Sequence, residues 1–405
     1  MDKKLKFAIV GIGDRGDWCW ATQVTQRQDC YVHAICDTNP VRLKIGGGRY
    51  HTNALYTDLG EMLQREQLDA VVVTTPDYNH EDTVVAALQA NVNVLIDKPL
   101  AITVKGCRHI IETAKNSSAV AVMGFNLRHN PVLKVLKRII ASGELGKVFI
   151  IENREFYDGG RTYMSRWNGR KKYSGSLWIH KGCHDFDVFN WLLDFPKPVK
   201  VAAFAGMNVL RPEGLPFALE DGIKPGPNCT VCHYGSHGTC ACRDCYDIKA
   251  EDAEKWGEEA AKADGYVKNS CMYSGEADAH DNGIAMVEYE NGVRASHFEC
   301  FIGAKNDRMY TVVGTDGVAE VSLAKRRIVI TKRWTNETIT HEIPPATGSH
   351  GGSDPMLLEY FINVITGKIP NGSTIEQGLL SSSIGQAAEL ARTENRTVMM
   401  EELYR

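Results

Sequence analysis

The 405 residues predict an α/β chain of two domains: a doubly wound parallel sheet, then an α/β domain on a large, open, mainly antiparallel sheet. Three observations carry that prediction. An apolar run near the N-terminus opens directly into glycines spaced G-x-G-x-x-G. Short apolar runs then alternate with helix-like segments as far as residue 126. Beyond it, strand-like runs are joined by Asn-Gly and Asp-Gly turns, the pattern of hairpins.

The first element is LKFAIV, an uninterrupted apolar run suited to a parallel strand buried on both faces. GIGDRG follows, with Gly11, Gly13 and Gly16 in the dinucleotide-binding spacing and Ile12 and Arg15 between them. Gly11 permits the tight turn, Gly13 lets a pyrophosphate approach the backbone, and Gly16 lets the helix pack against the strand. The helix N-terminus then offers unpaired N–H groups to the phosphates. The next strand, YVHAICD, ends at Asp37, about 20 residues beyond the last glycine, where an acid is expected to bind a ribose hydroxyl. That acid would repel a 2′-phosphate, so NAD is favoured over NADP, and Arg42 reads as a solvated helix residue. A lone G-x-G-x-x-G is weak evidence. Its strand–turn–helix setting and the acid favour a Rossmann domain over a glycine turn in a nucleotide-free fold.

Further βα units follow. DAVVVTTP is a strand, DTVVAALQA a helix, NVNVLIDKPL a strand, AITVKGCRHIIETAKNS a helix, and AVAVMGFNLRHNP the last strand and exit. Ligands on such sheets bind at the carboxyl ends of strands. Thr74, Thr75, Pro76, His80, Asp97, Lys98, Pro99 and Asn126 are placed there as cofactor-facing residues.

Residues 127–405 form the predicted second domain. GKVFIIENREFY is a strand, and three hairpins follow in GIAMVEYENGVRASHFECF, MYTVVGTDGVAEVSL and RRIVITKRWTNETITHEI. LLEYFINVITG and GLLSSSIGQAAELART close the chain as helices. An open sheet commonly pairs with a second subunit, so a homo-oligomer, dimer or tetramer, is expected. Residues 211–275 interrupt the sheet pattern with a cysteine-rich insertion. Cys229 and Cys232 form one C-x2-C pair and Cys242 and Cys245 another, with Cys240, Cys271, His233 and His237 nearby. A tetrahedral structural zinc suits such donors, against a packed loop of reduced cysteines or, less favoured, an iron–sulfur cluster.

The segment SGSLWIHKGCHDFDVFNWLL sets His180 and His184 four residues apart, just before an apolar helix. They suit a metal pair with Cys183, a proton-transfer pair, or ordinary packing. Gly182 weakens a continuous helix there, so the spacing need not put both rings on one face, and proton transfer ranks above metal.

Taken together, GIGDRG, TTPDYNH, DKPL, GFNLRHNP, SGELGKV and the His180–His184 segment resemble the glucose–fructose oxidoreductase / inositol dehydrogenase / MocA family over nearly the whole chain. The resemblance implies an NAD(P)-dependent oxidoreductase acting on a hydroxyl of a sugar, cyclitol or glycoside, forming a keto-sugar or 3-keto-glycoside or running the reverse. It implies catalytic roles for Lys98 and His184. A histidine titrating near neutrality is suited to take the hydroxyl proton, and an ammonium to hydrogen-bond the substrate oxygen. The family pattern has aspartate where this chain has His180. A third catalytic group there implies an alternative, an NAD-dependent glycosidase working by transient oxidation and elimination. A sugar- or nucleotide-sensing regulator without catalysis is a further alternative, which the presence of Lys98 and His184 argues against. Tyr157, Arg166 and Trp167, with Arg154, Arg161 and Tyr163, form a loop suited to gripping sugar. His350, in GSHGGSDP, is placed at the substrate, with Asp354 as the cap of the following helix. The resemblance also adds Cys271 to a zinc set of Cys229, Cys232 and Cys245, with Cys240 and Cys242 as alternates.

Composition excludes other classes. A formal net charge of −4 gives no basic footprint for nucleic acid. No apolar run approaches the roughly 20 residues that cross a bilayer. The N-terminal MDKKLKFAIVGIG lacks the features of a signal peptide, so a cytoplasmic location is expected.

Overall fold

The structure, a computed structural model, describes residues 4–215, 217–228, 231–236, 256–265 and 270–404. Among these, a six-stranded parallel sheet holds β1 (Leu5–Val10), β2 (Cys30–Cys36), β3 (Ala54–Tyr56), β4 (Ala70–Val73), β5 (Asn93–Ile96) and β6 (Ala121–Met123). Their spatial order is β3-β2-β1-β4-β5-β6, so chain order reverses between β1 and β4. Both faces are covered. Phe7 and Ile9 pack into the core on one side, while Ala8 and Val10 pack into the core on the other. That double burial is why these strands read as uninterrupted apolar runs.

The second sheet has nine strands among the described residues: β7 (Val148–Phe156), β8 (Pro198–Gly206), β9 (Asn282–Tyr289), β10 (Arg294–Cys300), β11 (Asp307–Gly314), β12 (Gly317–Ser322), β13 (Arg327–Lys332), β14 (Thr338–Glu342) and β15 (Val398–Met399). All neighbours are antiparallel except β7 and β10. Its inner face, including Ile151, Val201, Val287 and Val312, is buried against the helices Cys183–Leu192 and Ile375–Glu394. Its outer face leaves Phe204, Ile284 and Met286 exposed.

Two C-terminal helices join the halves. Ser353–Ile365 returns to the first sheet, where Leu357, Leu358 and Phe361 enter the core beside Phe7. Ile375–Glu394 starts at a Thr374–Gln377 capping box, puts Ile375 in the first-domain core, and puts Ile384 and Ala388 in the second. Arg128 holds Asp187 in a buried two-pronged pair and also donates to Gly372 O at 2.9 Å.

The segment carrying the two histidines is not one helix. Ser176 caps a short helix, Leu177–His180; the chain then breaks, and a second helix runs Cys183–Leu192. A Cβ at Gly182 would lie 2.8 Å from Trp178 O, so the break packs tightly enough to need glycine. No described helix is long and apolar enough to cross a membrane.

Candidate active site

The glycine loop lies at the carboxyl ends of β1 and β4. Gly11 has φ +89°, a left-handed conformation suited to glycine, and donates to Cys36 O at 2.8 Å. A Cβ at Gly16 would run into Gly11 O, whereas one at Gly13 would meet nothing within 4 Å. Gly13 is thus the open position that a pyrophosphate needs. Asp37 Oδ2 accepts from Ile12 N at 2.9 Å, and its Oδ1 accepts from Asn39 N at 2.8 Å and Arg42 Nε at 3.3 Å. Thr74 donates to Gly11 O at 2.7 Å. At the same strand ends Thr75 Oγ1 and Asn126 Oδ1 are buried without a partner among the described residues. Buried orphan polar atoms beside an open glycine cradle fit a dinucleotide with hydrogen-bonding groups.

Two residues placed at the cofactor are bonded within the protein. His80 is buried and its ring nitrogens lie 3.0 Å from Thr75 O and 2.6 Å from Pro99 O, bridging the turns that follow β4 and β5. Arg15 turns to Asp97 Oδ2 at 2.6 Å and to both oxygens of Asp354 at 2.9 and 3.2 Å. Burial opposes the Asp97 charge, but Arg15 and Lys98 outweigh it and hold the carboxyl below the ordinary carboxylate range.

Beyond β5, Lys98 Nζ donates to His180 O at 2.6 Å, so the lysine is set by the end of the short helix. His180 itself is sealed in. Its Nδ1 lies 2.7 Å from Asp77 Oδ2 and its Nε2 lies 2.9 Å from Asn168 Nδ2. Tyr163 and Trp167 stand edge-on to it at 5.5 and 5.3 Å. Burial lowers its pKa, only partly offset by Asp77, so the ring is neutral, with Nδ1 donating to Asp77 and Nε2 accepting from Asn168.

His184 is different. It is half-buried, and its Nδ1, itself a buried atom, has no partner among the described residues. Burial first, then the charges of Lys98, Arg308 and Lys181, push its pKa well below the usual histidine value. It is therefore a neutral imidazole with an unused ring nitrogen, close enough to Lys98 to feel its charge. Lys181 and Arg308 are taken up by Glu155, at 3.1 and 2.6 Å, and Tyr310 donates to Asp185 at 2.6 Å.

His180, Cys183 and His184 do not gather as metal ligands. Among the described residues the one ligating trio is Glu155, His297 and Glu299, in the sheet core. Lys181 and Arg308 already balance Glu155, and His297 is bonded to Asn153 and Glu299. Burial pushes the Cys183 thiol up, and its Sγ faces His180 O at 3.7 Å. Of the cysteines expected to hold zinc, Cys229, Cys240, Cys242 and Cys245 lie outside the described residues. Cys232 is buried, with Gly226 N donating to its Sγ at 3.3 Å; Cys271 borders the same glycine.

The sugar-gripping loop splits. Trp167 and Tyr163 face His180, and Tyr157 lies under Lys181 Nζ at 4.4 Å and packs on Tyr163. Arg166 reaches back to Asp14 of the glycine loop at 3.7 Å. Arg154, by contrast, pairs with Glu152 at 2.9 Å on the outer face of β7, away from the cleft. His350, at φ +48°, bonds Asp354 Oδ2 at 2.6 Å and stacks on Trp18 at 6.1 Å. The expected cap role of Asp354 is corrected. The N-cap is Gly352 with no side-chain cap bond, and Asp354 instead gathers Arg15, His350 and Asn126. Its position inside the first turn points its carboxylate at the arginine, which outcompetes backbone N–H donors. Asp77 and Asn168, the partners of His180, were not anticipated; the aspartate in TTPDYNH was the available signal.

The family description "Oxidoreductase family, NAD-binding Rossmann fold" matches residues 5–125, and "Oxidoreductase family, C-terminal alpha/beta domain" matches residues 137–400. The chain is 29% identical over 400 residues to "Putative oxidoreductase YteT" of Bacillus subtilis, covering 92% of each chain. It is 26% identical over 199 residues to D-glucoside 3-dehydrogenase of Escherichia coli, covering 49% of this chain and 57% of that one. Levoglucosan dehydrogenase in complex with NADH shares the fold at TM-score 0.75 and 15% identity, over 98% of this chain and 99% of that one.

Proposed function

The chain belongs to the Gfo/Idh/MocA family of NAD-dependent oxidoreductases, and on that premise we propose that it oxidises a hydroxyl of a sugar or glycoside, or reduces the corresponding ketone. Bound NAD+ supplies the two-electron acceptor. The chain's own residues manage the proton and the oxygen. The Lys98 ammonium hydrogen-bonds the substrate oxygen and favours its developing negative charge. His184, a neutral, half-buried imidazole beside Lys98, takes the hydroxyl proton as the carbonyl forms. His180 holds Lys98 through its carbonyl and is itself held by Asp77 and Asn168. Trp167 and Tyr163 offer aromatic surface beside His180.

The single observation carrying this reading is the contrast between the His180 ring, bonded at both nitrogens, and the half-buried His184 ring beside Lys98, whose Nδ1 has no partner among the described residues. It supports dehydrogenation over the glycosidase alternative, which needs a further free proton acceptor. The test is a panel of sugars and glycosides read for NADH. Stoichiometric NADH supports the proposal; cleavage of a chromogenic glycoside with no net NADH contradicts it. The apolar outer face of the second sheet supports pairing with a second copy of the chain, which light scattering would read as a doubled or higher mass.

A further inference from the structure

The cysteine-rich insertion contains a helix, Gly257–Asp264, that docks on the first domain rather than on the sheet it interrupts. Trp256 and Ala260 are buried in the first-domain core, and the Arg49 guanidinium lies 5.2 Å from the Trp256 ring. At its last residue the helix meets the adenosine end of the cofactor cleft. Asp264 Oδ2 accepts from Arg42 Nη2 at 2.6 Å and from Asn39 Nδ2 at 2.9 Å. Asn39 also donates to Ala260 O at 2.7 Å, while its Oδ1 caps the helix carrying Arg42. Arg42 Nε faces Asp37 at 3.3 Å, so its guanidinium is clamped between two carboxylates.

We propose that Asp264 is a cofactor-specificity residue, which occupies Arg42 and thereby removes the cation that a 2′-phosphate would otherwise use. Arginine is the side chain suited to a 2′-phosphate at the end of the second strand. Here it stands in the right place, but a carboxylate contributed from more than 200 positions downstream neutralises it and adds negative charge beside Asp37. The insertion is therefore part of the cofactor site as well as a decoration of the second domain. This rests on the NAD reading above.

The test is calorimetric titration of the full chain with NAD+ and with NADP+, without substrate. Asp264→Ala is expected to lower the ratio of the NADP+ to the NAD+ dissociation constant about tenfold or more, the scale of one charge-assisted pair. Asn39 keeps Ala260 O as a partner in that variant. Asp264→Asn, which removes the charge alone, should move the ratio the same way if the alanine variant does not fold. Adding Arg42→Ala should cancel the gain. A ratio unchanged within about twofold in folded Asp264 variants, or a gain that survives loss of Arg42, would overturn the inference. Wild-type protein that binds NADP+ as tightly as NAD+ would instead overturn the NAD reading beneath it.

Discussion

The two halves of Leu177–Leu192 each carry one histidine, and the fold treats them oppositely. The short helix ends with His180 packed between Asp77, Asn168 and two aromatic edges, every ring nitrogen used. The longer helix begins with His184 half-buried and one nitrogen idle. The break at Gly182 makes this possible, because a continuous helix would set both rings on one face one turn apart. Residue type alone does not assign a proton-transfer role. What decides is whether the ring's hydrogen-bonding capacity is already consumed.

Removing the less-bonded ring, or the lysine beside it, should have the largest effect. His184→Ala and Lys98→Ala should each lower kcat/KM by about 10²- to 10⁴-fold, the range for a lost acid–base or oxyanion-stabilising group. Fluorescence titration should show NAD+ still bound to both. Loosening the sealed ring should cost less. Asp77→Asn frees His180 and, through its carbonyl, Lys98; a loss of about 10- to 100-fold falling on kcat more than on KM is expected for misplacement of a reacting group. Equal or greater loss at Asp77 than at His184 would break the comparison.

The smallest effect is in acid stability. His180 and His184 both have folded pKa values below the unfolded value near 6.5, so in that window the unfolded chain binds protons that the folded chain does not. Stability therefore falls as pH drops below about 6.5, by at most about 1.4 kcal/mol per pH unit for each such histidine. His129, lowered to about 3, adds to the same slope. His297 is raised instead; its contribution is complete below 6.5 and is lost as pH rises. Asp97 and Asp354 are depressed, so their contributions fade only below the ordinary carboxylate value near 3.8. Melting temperatures of wild type, His180→Gln and His184→Gln between pH 7 and 5 check this: each variant should flatten the slope, and a slope unchanged in both would remove the electrostatic half of the account.

How much of this could be read in advance depends on how local the signal is. The first sheet was legible because a buried parallel strand feeding a glycine turn is written in consecutive residues, as in LKFAIVGIG. The hairpins turning on Asn291-Gly292 and Asp316-Gly317 were legible for the same reason. The short strands Ala54–Tyr56 and Val398–Met399 were not, since two or three residues carry no period, and Pro198–Gly206 was hidden by its mixed burial. Lys98 and His184 came from motifs. The pairing of Asp77 with His180, 103 positions away, and of Arg15 with Asp354, 339 away, left no mark in either local pattern. Such contacts exist only once both domains and the returning helix Ser353–Ile365 are in place.

The central claim is that His184, and not His180, takes the substrate proton. Its most direct measurement is single-turnover formation of NADH, on whichever sugar or glycoside the panel identifies, for wild type, His184→Ala and His180→Ala, each followed across pH. The account predicts that His184→Ala loses the fast phase and its acid-side pH dependence together, while His180→Ala is slowed yet keeps the wild-type pH profile. Near-full NADH formation by His184→Ala, or loss of the pH dependence in His180→Ala alone, would contradict it.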